Sequence, residues 1–179
     1  MLNEIKKDFK TGIIFFVKEN VGMINIHNIV EMLQAPTDFT NIMTENPYIE
    51  GMMTLRDEGI PIINLNKIIY KDKYERKGSE VIIVIKNQED SKTSTDTDKI
   101  GIIVESVTQV AEIEDVEEAT AYSTAFNPFF TSVFYMPVEE NGETNKKLVF
   151  QLNTDTFFKI IKDQNFNKLE SFSFNNKDS

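Results

Sequence analysis

The apolar residues of this chain fall mostly into short blocks, rich in Ile, Val, Phe and Met, in which polar positions alternate or are missing. Such blocks predict strands, because successive strand side chains point to opposite faces. Ile13 to Val17 is one block. Val21 to Leu33 alternates, with breaks, through Met23, Ile24, Ile26, Ile29 and Met32. After a loop marked by Pro36 and Asp38, EGMMTL and IPIINL read as two strands separated by Arg56, Asp57, Glu58 and Gly59. Pro61 has no N–H to donate, which predicts an edge, a strand start or a bulge for the second of them. Val81 to Ile85 lacks any polar position, so burial on both faces is expected.

Residues 86–98 are polar and low in complexity and predict a long, mobile hairpin loop. Residues 100–113 resume the strand pattern. FFTSVFYMPVEE and KKLVFQL flank Asn141-Gly142, a favoured two-residue hairpin turn, and are expected to pair antiparallel. Asn153 or Thr154 can cap a helix whose apolar face is Phe157, Ile160 and Ile161. Leu2, Ile5 and Phe9 fit either a short helix or a loosely ordered leader, and residues 114–126 fit a helix or an extended loop. The tail from Asp163 is rich in Asn, Ser and Lys, with Phe166, Phe172 and Phe174 available for docking. About nine short strands and few helices predict a mainly β protein, a barrel or sandwich closed in one or two lobes.

Composition narrows the function. A chain of 179 residues, 40% apolar and with 14 Phe, can bury the core of one domain or of two lobes that share it. Its net charge of −10 disfavours phosphate backbones and anionic lipid, leaving proteins or small molecules as partners and neither nucleic acid nor membrane insertion. There is no cysteine, the first residues lack an apolar signal region, and no apolar run is long enough to span a bilayer. A cytoplasmic protein is expected.

Catalytic chemistry finds little support. Neither GxGxxG nor GxxxxGK[ST] occurs, and His27, the single histidine, lies in a predicted strand away from any serine elbow. Asp96-Thr97-Asp98 is followed by Ile100 and Val107 where a calcium loop needs oxygen ligands. The six acids from Glu105 to Glu118 follow an apolar strand and read as a solvated edge, or else as a docking patch for a basic partner. No catalytic residue, metal or cofactor is assigned. Arg56 is more informative. Met52, Met53 and Leu55 precede it and Ile60, Ile62 and Ile63 follow, so its stem can be held by packing while its planar fork is aimed at a carboxylate or a partner.

The order of these elements resembles the CheW-like adaptor domain of bacterial chemotaxis. GMINIHNIVEML, then YIEGMMTLRDEGIPIINL, then KIGIIVESVTQVAEI, then KKLVFQLNTDTFFKII match its successive motifs over roughly residues 12–162, leaving a leader (1–11) and a tail (163–179). The resemblance implies two small SH3-like five-stranded β-barrel lobes, a hydrophobic groove between them and a C-terminal helix. It also implies a non-enzymatic adaptor in two-component signal transduction. Its partners would be the cytoplasmic hairpin tip of methyl-accepting chemotaxis receptors and the regulatory domain of the histidine kinase CheA. Carried over by position, the partner-binding residues are Ile29, Glu31, Gly51, Arg56, Gly101, Val107 and Val110. An apolar groove with a charged rim suits a helical hairpin tip.

Two positions depart from the family pattern. Asp57 stands where glycine usually follows the arginine, which matters if φ is positive there, and Gly59 offers a shifted turn. Another glycine is missing near Phe130-Thr131-Ser132. The related coupling protein CheV carries a receiver domain, for which the residues after Lys162 are too few. A β-barrel module that senses a small molecule in the groove is the alternative reading. A hydrolase built on the 105–118 acids is the weakest.

Overall fold

The computed structural model describes residues 11–44, 46–70, 75–87, 98–112, 117–118 and 129–162. The expectations for the leader, for most of 114–126, for the interior of the 86–98 loop and for the tail lie outside these residues. Along the described chain run β1 (Thr11–Val17), β2 (Asn20–Asn25), a 3-10 turn (Ile26–Asn28), β3 (Ile29–Gln34), β4 (Ile49–Leu55), β5 (Glu58–Asn64), α1 (Leu65–Tyr70), β6 (Val81–Lys86) and β7 (Lys99–Val104). They continue with β8 (Ser106–Glu112), β9 (Glu117–Glu118), β10 (Phe130–Glu140), β11 (Glu143–Leu152) and α2 (Thr154–Lys162).

The strands form two sheets, in the orders β8-β1-β2-β11-β10-β9 and β3-β6-β7-β5-β4. The fold is mainly β and two-lobed, as expected. The first lobe has six strands only because the two-residue β9 adds to its five. The second lobe is one continuous segment inserted between β2 and β8, so the first is assembled from both ends of the described chain. Each lobe holds one parallel pair, β2 with β11 (Val21 opposite Val149) and β5 with β7 (Ile62 opposite Gly101).

Two apolar runs that read as single strands each split between the lobes. Residues 21–33 break at the 3-10 turn, where Asn25 Oδ1 accepts from the His27 N–H at 2.9 Å. His27 is therefore an exposed turn residue rather than a strand residue. Residues 100–113 break at Glu105, whose N–H bonds to the Phe16 carbonyl of β1 at 2.9 Å. Lys86 lies opposite Lys99, and the Asn87 N–H donates to the Asp98 carbonyl at 2.9 Å, so the polar 86–98 segment joins a hairpin.

Pro61 lies in β5, which is flanked by β4 and β7 and is not an edge. Its partner Met52 turns its N–H and C=O outward to Thr40, so Met52 and Pro61 face each other without a ladder bond. The register with β7 begins one residue later, at Ile62. Proline is tolerated because its missing donor falls at the start of that ladder.

The packing explains the runs without polar positions. Alternate residues of one strand enter different cores. Ile14 and Phe16 of β1 enter a core inside the first lobe, and Ile82 and Val84 of β6 enter one inside the second. Ile13, Phe15 and Val17, and likewise Ile83 and Ile85, enter a third core between the lobes. Among the described residues that shared core holds 17 buried side chains, against 9 and 6 in the others, and so welds the lobes into one unit.

The terminal helix seals the shared core. Phe157 and Phe158 are buried in it, with the Phe157 ring 5.4 Å from that of Phe129. The Thr154 hydroxyl accepts from Asn28 Nδ2 at 2.7 Å, tying the helix start to the 3-10 turn. Phe157→Ala is expected to destabilise the protein by about 3–5 kcal/mol. Urea denaturation should show that loss in one cooperative transition, whereas separate transitions would show that the lobes unfold independently.

Candidate interaction surface

The β4–β5 hairpin turns on Arg56 and Asp57, with Leu55 opposite Glu58. Both turn residues have positive φ, 50° and 68°. The right-handed twist of paired strands favours this turn geometry, which usually takes Asn-Gly. The β10–β11 turn has the same sign pattern on Asn141 (φ 53°) and Gly142 (φ 80°). Gly59 does not shift the turn. It lies within β5, opposite Thr54.

The turn carries Arg56 across to the other edge of the same sheet. Its Nη2 donates to Glu31 Oε2 of β3 at 2.8 Å. Arg56 is 79% exposed and Glu31 24%, so the pair adds little to the stability of the fold. On β3 the neighbours Val30 and Met32 are exposed apolar residues. Beside the turn, Lys99 Nζ pairs with Glu58 at 2.9 Å.

Backbone and a second arginine complete the junction of the β3 and β4 edges. Thr40 and Met52 exchange two backbone hydrogen bonds of 2.9 and 2.8 Å. Arg76 donates to the carbonyls of Thr37, at 2.9 Å, and of Pro36, and its guanidinium carbon lies 4.7 Å from the Phe39 ring centre. Arg76 has no signal in the sequence, because its targets lie far away in a loop. In the first lobe Thr108 Oγ1 donates to the Glu139 carbonyl at 3.0 Å, and the Glu139 N–H donates to Gln109 Oε1 at 2.8 Å. These contacts draw β8 towards β10. In each lobe side chains thus bridge strands that the ladders leave apart.

The remaining expected site residues separate into two kinds. Ile29 and Val107 are half-buried on the margin of the shared core, together with Ile26, Tyr48, Ile69, Val81 and Phe150. The apolar surface between the lobes is filled by packing, and this margin is what solvent reaches. Val110, on the outer strand β8, is 59% exposed. Gly51 and Gly101 are buried, and what they contribute is close approach. A Cβ at Gly51 would lie 2.9 Å from the Thr40 carbonyl oxygen, and one at Gly101 would lie 2.5 Å from Ile62 Cδ1. Ser132, at the other departure from the family pattern, follows a bulge in β10 and bonds to the Gln151 side chain.

Glu105, expected on a solvated edge, is instead a strut between the lobes. Its Oε2 accepts from the Lys18 N–H of the β1–β2 turn at 2.8 Å, and its Oε1 accepts from Lys77 Nζ at 2.7 Å. The Lys77 hydrogen bond holds the Glu105 carboxyl below the usual glutamate range, against the opposing effect of its partial burial, with help from the Lys18 N–H. The same hydrogen bond raises the Lys77 ammonium above the usual lysine range. Among the described residues no three acidic or histidine side chains gather to hold a metal, and no helix is long and apolar enough to cross a membrane.

Two outcomes follow from this geometry. Gly101→Ala is expected to lower stability by about 1–3 kcal/mol in urea denaturation, since the new methyl must displace buried isoleucines. The stability that ionised Glu105 provides is complete above the ordinary glutamate range and is lost as pH falls through its lowered value. The melting gap between wild type and Glu105→Gln should therefore be widest near neutral pH and close in acid. A gap that ignores pH would show that the charge is idle.

Comparison with known proteins adds three findings. The family model of the CheW-like domain matches residues 11–159. Chemotaxis protein CheW of Treponema pallidum (strain Nichols) is 33% identical over 108 residues, which is 58% of this chain and 59% of that relative. The chain thus spans less than two thirds of that relative's length. The crystal structure of the scaffolding protein TtCheW from Thermoanaerobacter tengcongensis matches with a TM-score of 0.59 at 21% identity, covering 81% of this chain and 84% of that one. It shares the fold.

Proposed function

The chain belongs to the CheW-like domain family, and from that premise we propose that it is a non-catalytic cytoplasmic adaptor coupling methyl-accepting chemotaxis receptors to the histidine kinase CheA. The observation that carries this reading is the Glu31–Arg56 pair, held at the joined edges of the second lobe beside exposed Val30 and Met32. A charged pair fixed in direction on an edge strand that also exposes apolar side chains suits a protein partner, the apolar groups giving affinity and the charges giving register. In this reading Ile29, Val107 and Val110 are apolar contacts, while Gly51 and Gly101 act by keeping their strands in place. The receptor hairpin tip and the kinase regulatory domain are the two proposed partners.

Sensing of a small molecule between the lobes is not favoured, because the family match points to an adaptor.

Titration with a receptor cytoplasmic fragment and with the kinase regulatory domain tests the proposal. Binding to at least one at micromolar concentration is expected, and no binding to either at tens of micromolar would overturn it. Arg56→Ala should change stability by about 0–1 kcal/mol, as for an exposed ion pair, yet weaken binding about tenfold or more. Parallel losses of melting temperature and affinity would mark Arg56 as a structural residue only.

A further inference from the structure

The protein closes two hairpins with two-residue turns of positive φ and fills them differently. Asn141-Gly142 carries the residues that this backbone prefers, at φ 53° and 80°. Arg56-Asp57 adopts the corresponding conformation, at φ 50° and 68°, with an arginine that this backbone disfavours and an aspartate that it accepts less readily than glycine. For Arg56 the fold supplies a reason, since the turn delivers its guanidinium to Glu31. Asp57 has no such reason. It is exposed, and among the described residues no hydrogen bond or ion pair engages its carboxylate. The neighbouring charges are already matched, Glu31 by Arg56 and Glu58 by Lys99. Among the described residues Asp57 is therefore the charge at the tip of the turn that is left unmatched, in a conformation that glycine would adopt with less strain.

We propose that Asp57 is a specificity-determining contact residue, whose carboxylate pairs with a lysine or arginine side chain of the protein that docks on this edge. The inference rests on the docking role proposed above for Glu31 and Arg56. A positive φ kept at a surface position where no described residue offsets it points to an external contact. A single matched carboxylate at the rim acts mainly on encounter and on rejection of partners lacking the cation, and it is screened by salt.

The test compares wild type, Asp57→Asn and Asp57→Gly in melting and in titration against the kinase regulatory domain and the receptor cytoplasmic fragment, at low and high salt. Asn keeps the tolerance for positive φ and removes the charge, while Gly also removes the strain. Asp57→Gly is expected to melt higher than wild type and Asp57→Asn close to it. Both should bind one partner about threefold or more weakly at low salt, with the gap narrowing at high salt. Unchanged affinity of both variants for both partners, with wild type binding normally, would overturn this inference and leave the adaptor reading standing. Loss of affinity only in step with loss of melting temperature would also overturn it. Absence of wild-type binding to either partner would overturn both readings.

Discussion

The structure depends on strands whose two faces are divided between two different cores. In β1, β5, β6 and β7, alternate residues enter the core of their own lobe and the core between the lobes. Apolar burial is the main favourable term in folding, and a sheet of five short strands has little of it to spare on one face. Among the described residues the second lobe's own core holds six buried residues, against 17 in the core it shares with the first. The same side chains that join the lobes also stabilise each of them. The lobes consequently present one surface with a fixed geometry, on which residues distant in sequence keep their relation.

That division was partly legible in the sequence. Val81 to Ile85 shows no polar alternation because both faces are buried, and it reads as such. The same apolar continuity hides the places where the chain changes lobe. Ile24, Ile26 and Ile29 remain apolar across the 3-10 turn, since the turn itself borders the shared core. At Glu105 a single residue makes the crossing, which is too short to interrupt a strand pattern. The helix α1 escaped notice because LNKIIY is six residues long and its apolar positions continue those of β5. The Asn141-Gly142 hairpin and the terminal helix, by contrast, carry local turn and capping chemistry and were readable at once.

The candidate surface was legible in a different way. Arg56 stood out by its apolar flanks, but nothing in the spacing joins it to Glu31, and that pairing came through family resemblance. Gly51 and Gly101 enter by the same resemblance, and only the fold makes them buried points of close approach. Glu105 and Arg76 were missed as organising residues because their partners come from distant segments. A solvated carboxylate and an interlobe strut look alike until the fold places the Lys77 ammonium and the Lys18 N–H on either side.

The insertion of the second lobe between β2 and β8 has a consequence for how the molecule is made. A ribosome delivers β1 and β2 first, yet their sheet lacks β8, β10 and β11 until nearly all the described chain has emerged. The parallel pairing of Val21 with Val149 spans that whole interval. Contacts so far apart in sequence form slowly, because a long loop must close before they are rewarded. Until then the apolar faces of the first hairpin wait without their neighbours, and unpaired strand edges of this kind invite aggregation during synthesis. The β3 to β7 segment, complete in itself, can begin to order while that hairpin waits.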